Sequence, residues 1–288
     1  MQSKSSEART GWLLIAPPAV VTFLLLAAPL ATVLVYSVLT GSRGAVSLPL
    51  TGENYLQVLT RPQYHIVMLR SLNVSVLVTL ATVLLAYPIA YFVSFHVQPS
   101  KKSLWLFLIT IPFWTSYIIR VALWRTILGY DGIVDSSLMG LGIMDTQLNV
   151  LQYGVTSIII TLAHAYAPFA VLPIFVSLEK VDRSLLEAGQ DLGESKWRTF
   201  LRVTLPLSMP GVIAAVLIVF IPTAGDYVTP ELIGAGKVPM VSNFVETQLL
   251  KSRNFAMGSA LAASAMIAVA IISVGFLLLN KRFIGGRK

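Results

Sequence analysis

The sequence contains no cysteine. Disulfide frameworks, thiolate metal sites and thiol nucleophiles are therefore excluded. Histidine is scarce: His65, His96 and His164 lie far apart and show no metal-ligand spacing. Charge is sparse as well. Only 12% of the 288 residues are charged, about half the share of an average soluble domain. No Gly-x-x-x-x-Gly-Lys-Ser/Thr phosphate loop occurs, so no such ATP site is built from this chain. Low-complexity tracts and internal repeats are missing, and no polar stretch is long enough to fold alone.

What remains is apolar. Hydrophobic residues make up 56% of the chain, and the mean hydropathy is +0.77. One soluble core could not cover so much apolar surface, so lipid must cover part of it. The net charge of +8 could suit nucleic acid. In a membrane chain it has a simpler source, because cytoplasmic loops collect Lys and Arg. No nucleic-acid partner is expected.

A bilayer core needs about 20 apolar residues in helix. The stretches Gly11–Tyr36, Leu72–Phe95, Leu104–Trp124, Val155–Leu178, Gly211–Val228 and Phe255–Leu279 meet or approach that length. The expected fold is all-α and polytopic, with about six transmembrane helices in a single membrane domain over residues 1–288. The first stretch exceeds a signal-peptide core of about 7–15 residues and reads as a retained helix. With the N-terminus inside, Lys4, Arg9, Lys101, Lys102, Lys180, Arg183, Lys196, Arg198, Arg202, Lys281, Arg282, Arg287 and Lys288 lie inside. Arg43, Arg61, Arg70, Lys237, Lys251 and Arg253 lie outside, with Arg120 and Arg125 near the outer end of the third span. That asymmetry predicts both termini in the cytoplasm.

The loops are unequal. Residues 37–71 form a long outer loop, where Asn54–Leu59 is expected to lie flat on the membrane. Residues 125–154 form a second outer loop, and 179–210 form the largest inner loop. Within the inner loop, Ser184 and Glu187 have capping-box spacing. Leu185, Ala188 and Leu192 share a helix face, and Gly193 suits a left-handed residue past the helix end. A second helix start falls at Ser195, with Trp197, Phe200 and Leu201 on one face, and Pro206 and Pro210 close the segment. Two short amphipathic helices at an angle are predicted. Composition alone leaves a lipid-lying interfacial helix equally open.

Spacing separates the two. From Glu187 the sequence reads Glu-Ala188-Gly189, three residues, Gly193, nine residues, then Val203-Thr204-Leu205-Pro206. This resembles the EAA loop of the permease subunits of ABC importers, with Gly189 and Val203 as the two departures. The resemblance implies a type I importer permease in a bacterial inner membrane. It further implies that Glu187, Ala188, Gly189, Gly193, Leu205 and Pro206 couple the chain to two copies of a cytoplasmic ATPase. ATP and magnesium would then reside in that partner and not in this chain. A second homologous permease and an extracytoplasmic solute-binding protein complete the implied assembly. A catalytic residue is not expected.

The run from Gly225 through Asp226-Tyr227-Val228-Thr229-Pro230-Glu231-Leu232-Ile233 to Gly234 is similar to a segment of spermidine/putrescine permeases. So is the outer-loop run Asn54-Tyr55, Arg61-Pro62, Ser71-Leu72. The implied solute is a polyamine. Amino-acid derivatives, opines, iron chelates and phosphonates remain alternatives. Pro222 and Pro230 interrupt the fifth span and place Asp226 in the break. An oligoamine would meet Asp226, Tyr227 and Glu231 there, or else Asp226 caps the broken helix or pairs with Arg120. Trp114 and Tyr117 suit a cavity wall or an interfacial belt, and Trp124 suits the belt. His164 and Tyr166 read as helix–helix contacts. A secondary transporter would show paired repeats or ion-coupling residues, and an intramembrane enzyme would show a nucleophile or metal motif. Neither pattern is present in the sequence.

Overall fold

The computed structural model describes residues 3–42, 44–146 and 154–284. Arg43, Arg287, Lys288 and part of the second outer loop lie outside those residues, as do the side chains of Lys4 and Arg9. Among the described residues, five helices are long and apolar enough to cross a membrane, and a bent pair makes up to six. Among the described residues one short antiparallel hairpin accompanies the helices. Two compact units form, one from Met1–Tyr64 with Phe244–Met266, the other from His65–Asn243 with Ile267–Lys288.

The first unit begins with α1 (Ser3–Ser37). Trp12, Phe23 and Leu25 along it are largely exposed, which suits a helix whose solvent is lipid. Strands β1 (Leu39–Ser42) and β2 (Ala45–Leu50) follow, then α2 (Glu53–Thr60), the segment expected to form a surface helix. Asn54 Nδ2 donates to the carbonyls of Ser37 and Leu39, which ties α2 to the end of α1. A small core of Val58, Tyr64, Met257, Ala260 and Leu261 holds the unit together. The last three residues belong to α13 (Phe255–Leu279).

The second unit is built on α3 (Pro62–Phe95), α5 (Tyr117–Leu128), α7 (Val155–Leu178) and α10 (Leu205–Ala224). Val78, Val93, Val121, Ile158, Leu162, Ile174 and Val219 from these helices are fully buried in one cluster. The buried hydroxyls of Ser75, Thr79 and Thr82 donate to carbonyls four residues back, so α3 carries them into an apolar core without an orphan donor. Helices α7 and α10 cross closely. A Cβ on Gly211 would fall 2.4 Å from the Pro173 carbonyl oxygen and 2.5 Å from Ser177 Cβ. A glycine at this crossing is the small-residue contact by which membrane helices approach.

Two spans differ from their expected form. The third is not one helix. Helix α4 (Pro99–Thr110) passes into a 3-10 turn at Ile111–Trp114, and α5 restarts at Tyr117. The two apolar halves, Pro99–Trp114 and Tyr117–Gly140, are bent by 86°. Pro112 cannot donate a backbone hydrogen bond, and Thr115 is extended, so the helix cannot continue. The fifth span starts earlier than expected and runs without a break over Lys196–Ala224.

Candidate functional site

The segment from Glu179 onward is organised by its caps. Helix α8 (Arg183–Asp191) starts at Asp182, whose side chain accepts from the Ser184 amide at 3.0 Å. That bond holds the Asp182 carboxyl below the usual carboxylate range. The expected Ser184–Glu187 capping box is replaced. Ser184 already lies inside the first turn, and Asp182 is the residue with extended backbone. Glu187 is exposed at mid-helix beside Ala188, and Leu185 and Leu192 are exposed too. Apolar Leu185 and Leu192 on one side of the helix and acidic Glu187 on another are therefore all exposed, which fits a docking surface as well as a lipid surface.

The far end of α8 matches its sequence. Gly193 has φ +82°, the left-handed region that glycine enters without steric cost. Its amide donates to the Gln190 carbonyl, and that of Glu194 to the Gly189 carbonyl. These are the paired bonds of a Schellman end. Gly189 packs close to the next helix. A Cβ there would lie 3.2 Å from Thr199 Cγ2. The departure from alanine at this position thus coincides with a near contact.

Ser195 caps α9 (Lys196–Thr199) by accepting from the Arg198 amide. The expectation that Pro206 and Pro210 close the segment is corrected, because both lie within α10. The chain passes from α9 through a wider helical turn, Phe200–Thr204, directly into α10. In that turn the Leu205 amide reaches back to the Phe200 carbonyl. Pro206, with no amide to place, is thereby carried inside a continuous helix. Trp197 stacks on Phe200, and Phe200 meets Tyr87 and Tyr91 of α3 edge-on. Tyr87 also shares a hydrogen bond with Ser208 of α10 at 2.8 Å. The α9 end is therefore rigidly joined to the spans.

A second cluster lies at the break in the fifth span. Helix α10 ends at Ala224 and α11 (Val228–Leu232) follows. Asp226, only 8% exposed, accepts from the amides of Val228 and Thr229, each at 3.3 Å. It therefore serves as a cap for α11. Among the described residues no ion pair joins it to Arg120. Tyr117 shares a 2.8 Å hydrogen bond with Thr229, which places it beside Asp226. Tyr227 is half exposed, and its carbonyl accepts from Asn243, which also donates to Glu231. Trp114 stands apart, 75% exposed, with an edge contact to Phe107. Trp124 donates to His164 Nδ1 at 3.1 Å, so both are helix–helix contacts.

Arg120 is the unusual member of this region. It is 8% exposed, and its Nε and Nη1 have no hydrogen-bond partner among the described residues. The guanidinium lies 5.9 Å from the centre of the Phe113 ring and 6.0 Å from that of Tyr117. Aromatic faces offset part of the cost of that charge. The sequence placed Arg120 at the outer end of a span and offered no sign of this enclosure. Asn243 was also missed, because its partners lie 12 and 16 residues away.

Residues 66–283 match the family model described as binding-protein-dependent transport system inner membrane component. The chain is 36% identical over 235 residues to the spermidine/putrescine transport system permease protein PotB of Haemophilus influenzae, covering 82% of this chain and 81% of that one. It is 35% identical over 241 residues to PotB of Escherichia coli, covering 82% and 86%. The fold is similar to a chain of a bacterial alginate ABC transporter solved with a periplasmic protein bound to alginate pentasaccharide. That match has a TM-score of 0.72 and 18% identity, over 97% of this chain and 98% of the other. The chain belongs to the family of binding-protein-dependent transport system inner membrane components, the permease subunits of ABC importers.

Proposed function

We propose that this permease forms half of an ATP-driven import path for a polyamine, with residues 179–210 on the cytoplasmic side as its coupling loop. One observation carries the reading. A short, firmly capped helix presents Glu187, Leu185 and Leu192 outward and is joined through Gly193 to a helix that runs unbroken into the fifth span. Such a helix can take a push from a partner and deliver it to the membrane without bending. The partners are two ATPase subunits holding ATP and magnesium, a second homologous permease, and an extracytoplasmic solute-binding protein. The named PotB relatives support spermidine or putrescine as solute. Asp226, Tyr227 and Glu231 at the fifth-span break, with Tyr117 beside them, are the solute-facing candidates.

The test is reconstitution. The chain is co-expressed with its neighbouring transporter subunits, purified and placed in liposomes with the matching receptor. Copurification of an ATPase and ATP-dependent uptake of labelled spermidine or putrescine are expected. Failure to bring down any ATPase would overturn the importer reading. Uptake of a different solute would overturn only the polyamine assignment.

A further inference from the structure

Three chain segments meet at one carboxylate, and a fourth is tied to them through Ser94. Glu179 follows the last residue of α7, with its amide bonded to the Phe175 carbonyl. A carboxylate there faces the negative end of the helix dipole, an unfavourable position. Two partners offset it. Lys102 of α4 donates to both carboxylate oxygens, at 2.7 and 2.9 Å. Ser94 of α3, itself buried, donates to Oε1 at 2.5 Å. Partial burial pushes the Glu179 carboxyl up, but the bonds from Lys102 and Ser94 and the charges of Lys102 and Arg183 outweigh it. The carboxyl is held below its usual range and stays ionised.

The fourth segment is the start of α8. Arg183 donates to the Ser94 carbonyl at 3.2 Å, and its guanidinium lies 5.9 Å over the Phe95 ring. Only Lys180, Val181 and Asp182 separate Glu179 from Arg183, and Val181 is buried. So short a link, anchored in its middle, cannot absorb a displacement of α8. The displacement passes to Glu179 and Ser94, and through them to α3, α4 and α7.

We propose that Glu179 is a positioning residue for energy coupling: it clamps the ends of α3, α4 and α7 into one block to which Arg183 tethers α8. The α9–α10 helix then carries motion into the fifth span, and the clamp carries it into the second, third and fourth. This rests on the reading of α8 as the ATPase-docking helix. A merely structural staple would hold the same ends together without affecting how ATP use is converted into import.

The test uses the whole importer in liposomes and measures solute imported per ATP hydrolysed, alongside complex yield by gel filtration. Glu179→Gln and Lys102→Glu should each lower that ratio about fivefold, the scale of losing one charge-assisted contact at a partly exposed site. Yield should fall much less. The double variant Glu179→Lys with Lys102→Glu restores opposite charges and should recover most of the ratio. An unchanged ratio in the single variants, or a ratio that falls only in step with yield and is not recovered, overturns the proposal. If neither single variant assembles, Glu179→Asp is measured instead, and a wild-type ratio there also overturns it. Gly193→Pro is run in parallel. If it too keeps a wild-type ratio, the docking reading has failed. If it uncouples while Glu179→Gln does not, only the clamp has failed.

Discussion

Gly193 offers the sharpest test of the coupling segment, because the cost of replacing it with a non-proline residue is conformational. Its φ of +82° is left-handed, and a Cβ built there meets nothing within 4 Å among the described residues. Alanine would therefore clash with no neighbour and would bear only the left-handed penalty, about 1–2 kcal/mol. Asparagine tolerates this region and should bear less. Proline cannot adopt the angle at all, and it deletes the amide that donates to the Gln190 carbonyl at 2.9 Å. The loss of that bond adds about 1 kcal/mol. A penalty of ~1 kcal/mol shifts the population of a formed α8 end by about fivefold. Import per ATP in reconstituted complexes should thus fall in the order glycine, asparagine, alanine, proline, with membrane insertion intact. Equal import by all four variants would refute a rigid coupling end. An asparagine variant as impaired as the proline variant would refute the conformational origin of the effect.

Other outcomes follow from the same structure. In intact cells an impermeant thiol reagent should label a cysteine placed at Ser47 and spare one at Ser195, and the reverse pattern would invert the topology. Gly211→Val should destabilise the α7–α10 crossing by about 1–3 kcal/mol, as over-packing does, and a melting temperature equal to wild type would contradict the close approach at Pro173. Asp226→Asn should lower uptake of a cationic solute by about tenfold or more, tenfold being the lower end of the range for a charged hydrogen bond, with a smaller loss of assembly. If Arg120→Gln restores an assembly defect of Asp226→Asn, then Asp226 is a structural partner and not a solute contact. Glu179 has a lowered folded pKa, so its contribution to stability is complete above the ordinary carboxylate value of about 4.3 and is lost as pH falls through the folded value. Thermal stability should therefore hold from neutral pH to about 5 and decline below it, with a shallower decline in Glu179→Gln.

The sequence by itself determined the features whose physics is local or compositional. Apolar run length gave the spans, since a helix that crosses lipid must satisfy its own backbone and can do so only over some 20 residues. The Schellman end at Gly193 and the cap at Ser195 were legible because each is closed by atoms within five residues. The capping choice at α8 was not. Asp182 and Ser184 are both competent caps, and the turn after α7, with Val181 buried, selects Asp182. Pro112 and Pro206 look alike in sequence, yet one accompanies a sharp break and the other lies inside an unbroken helix. A wide turn at Phe200–Thr204, packed on Tyr87 and Tyr91, makes the difference. The enclosure of Arg120 and the clamp at Glu179 were decided entirely by tertiary structure. Glu179 lies 77 residues from Lys102 and 85 from Ser94, so only the packing of α3, α4 and α7 brings their charges together.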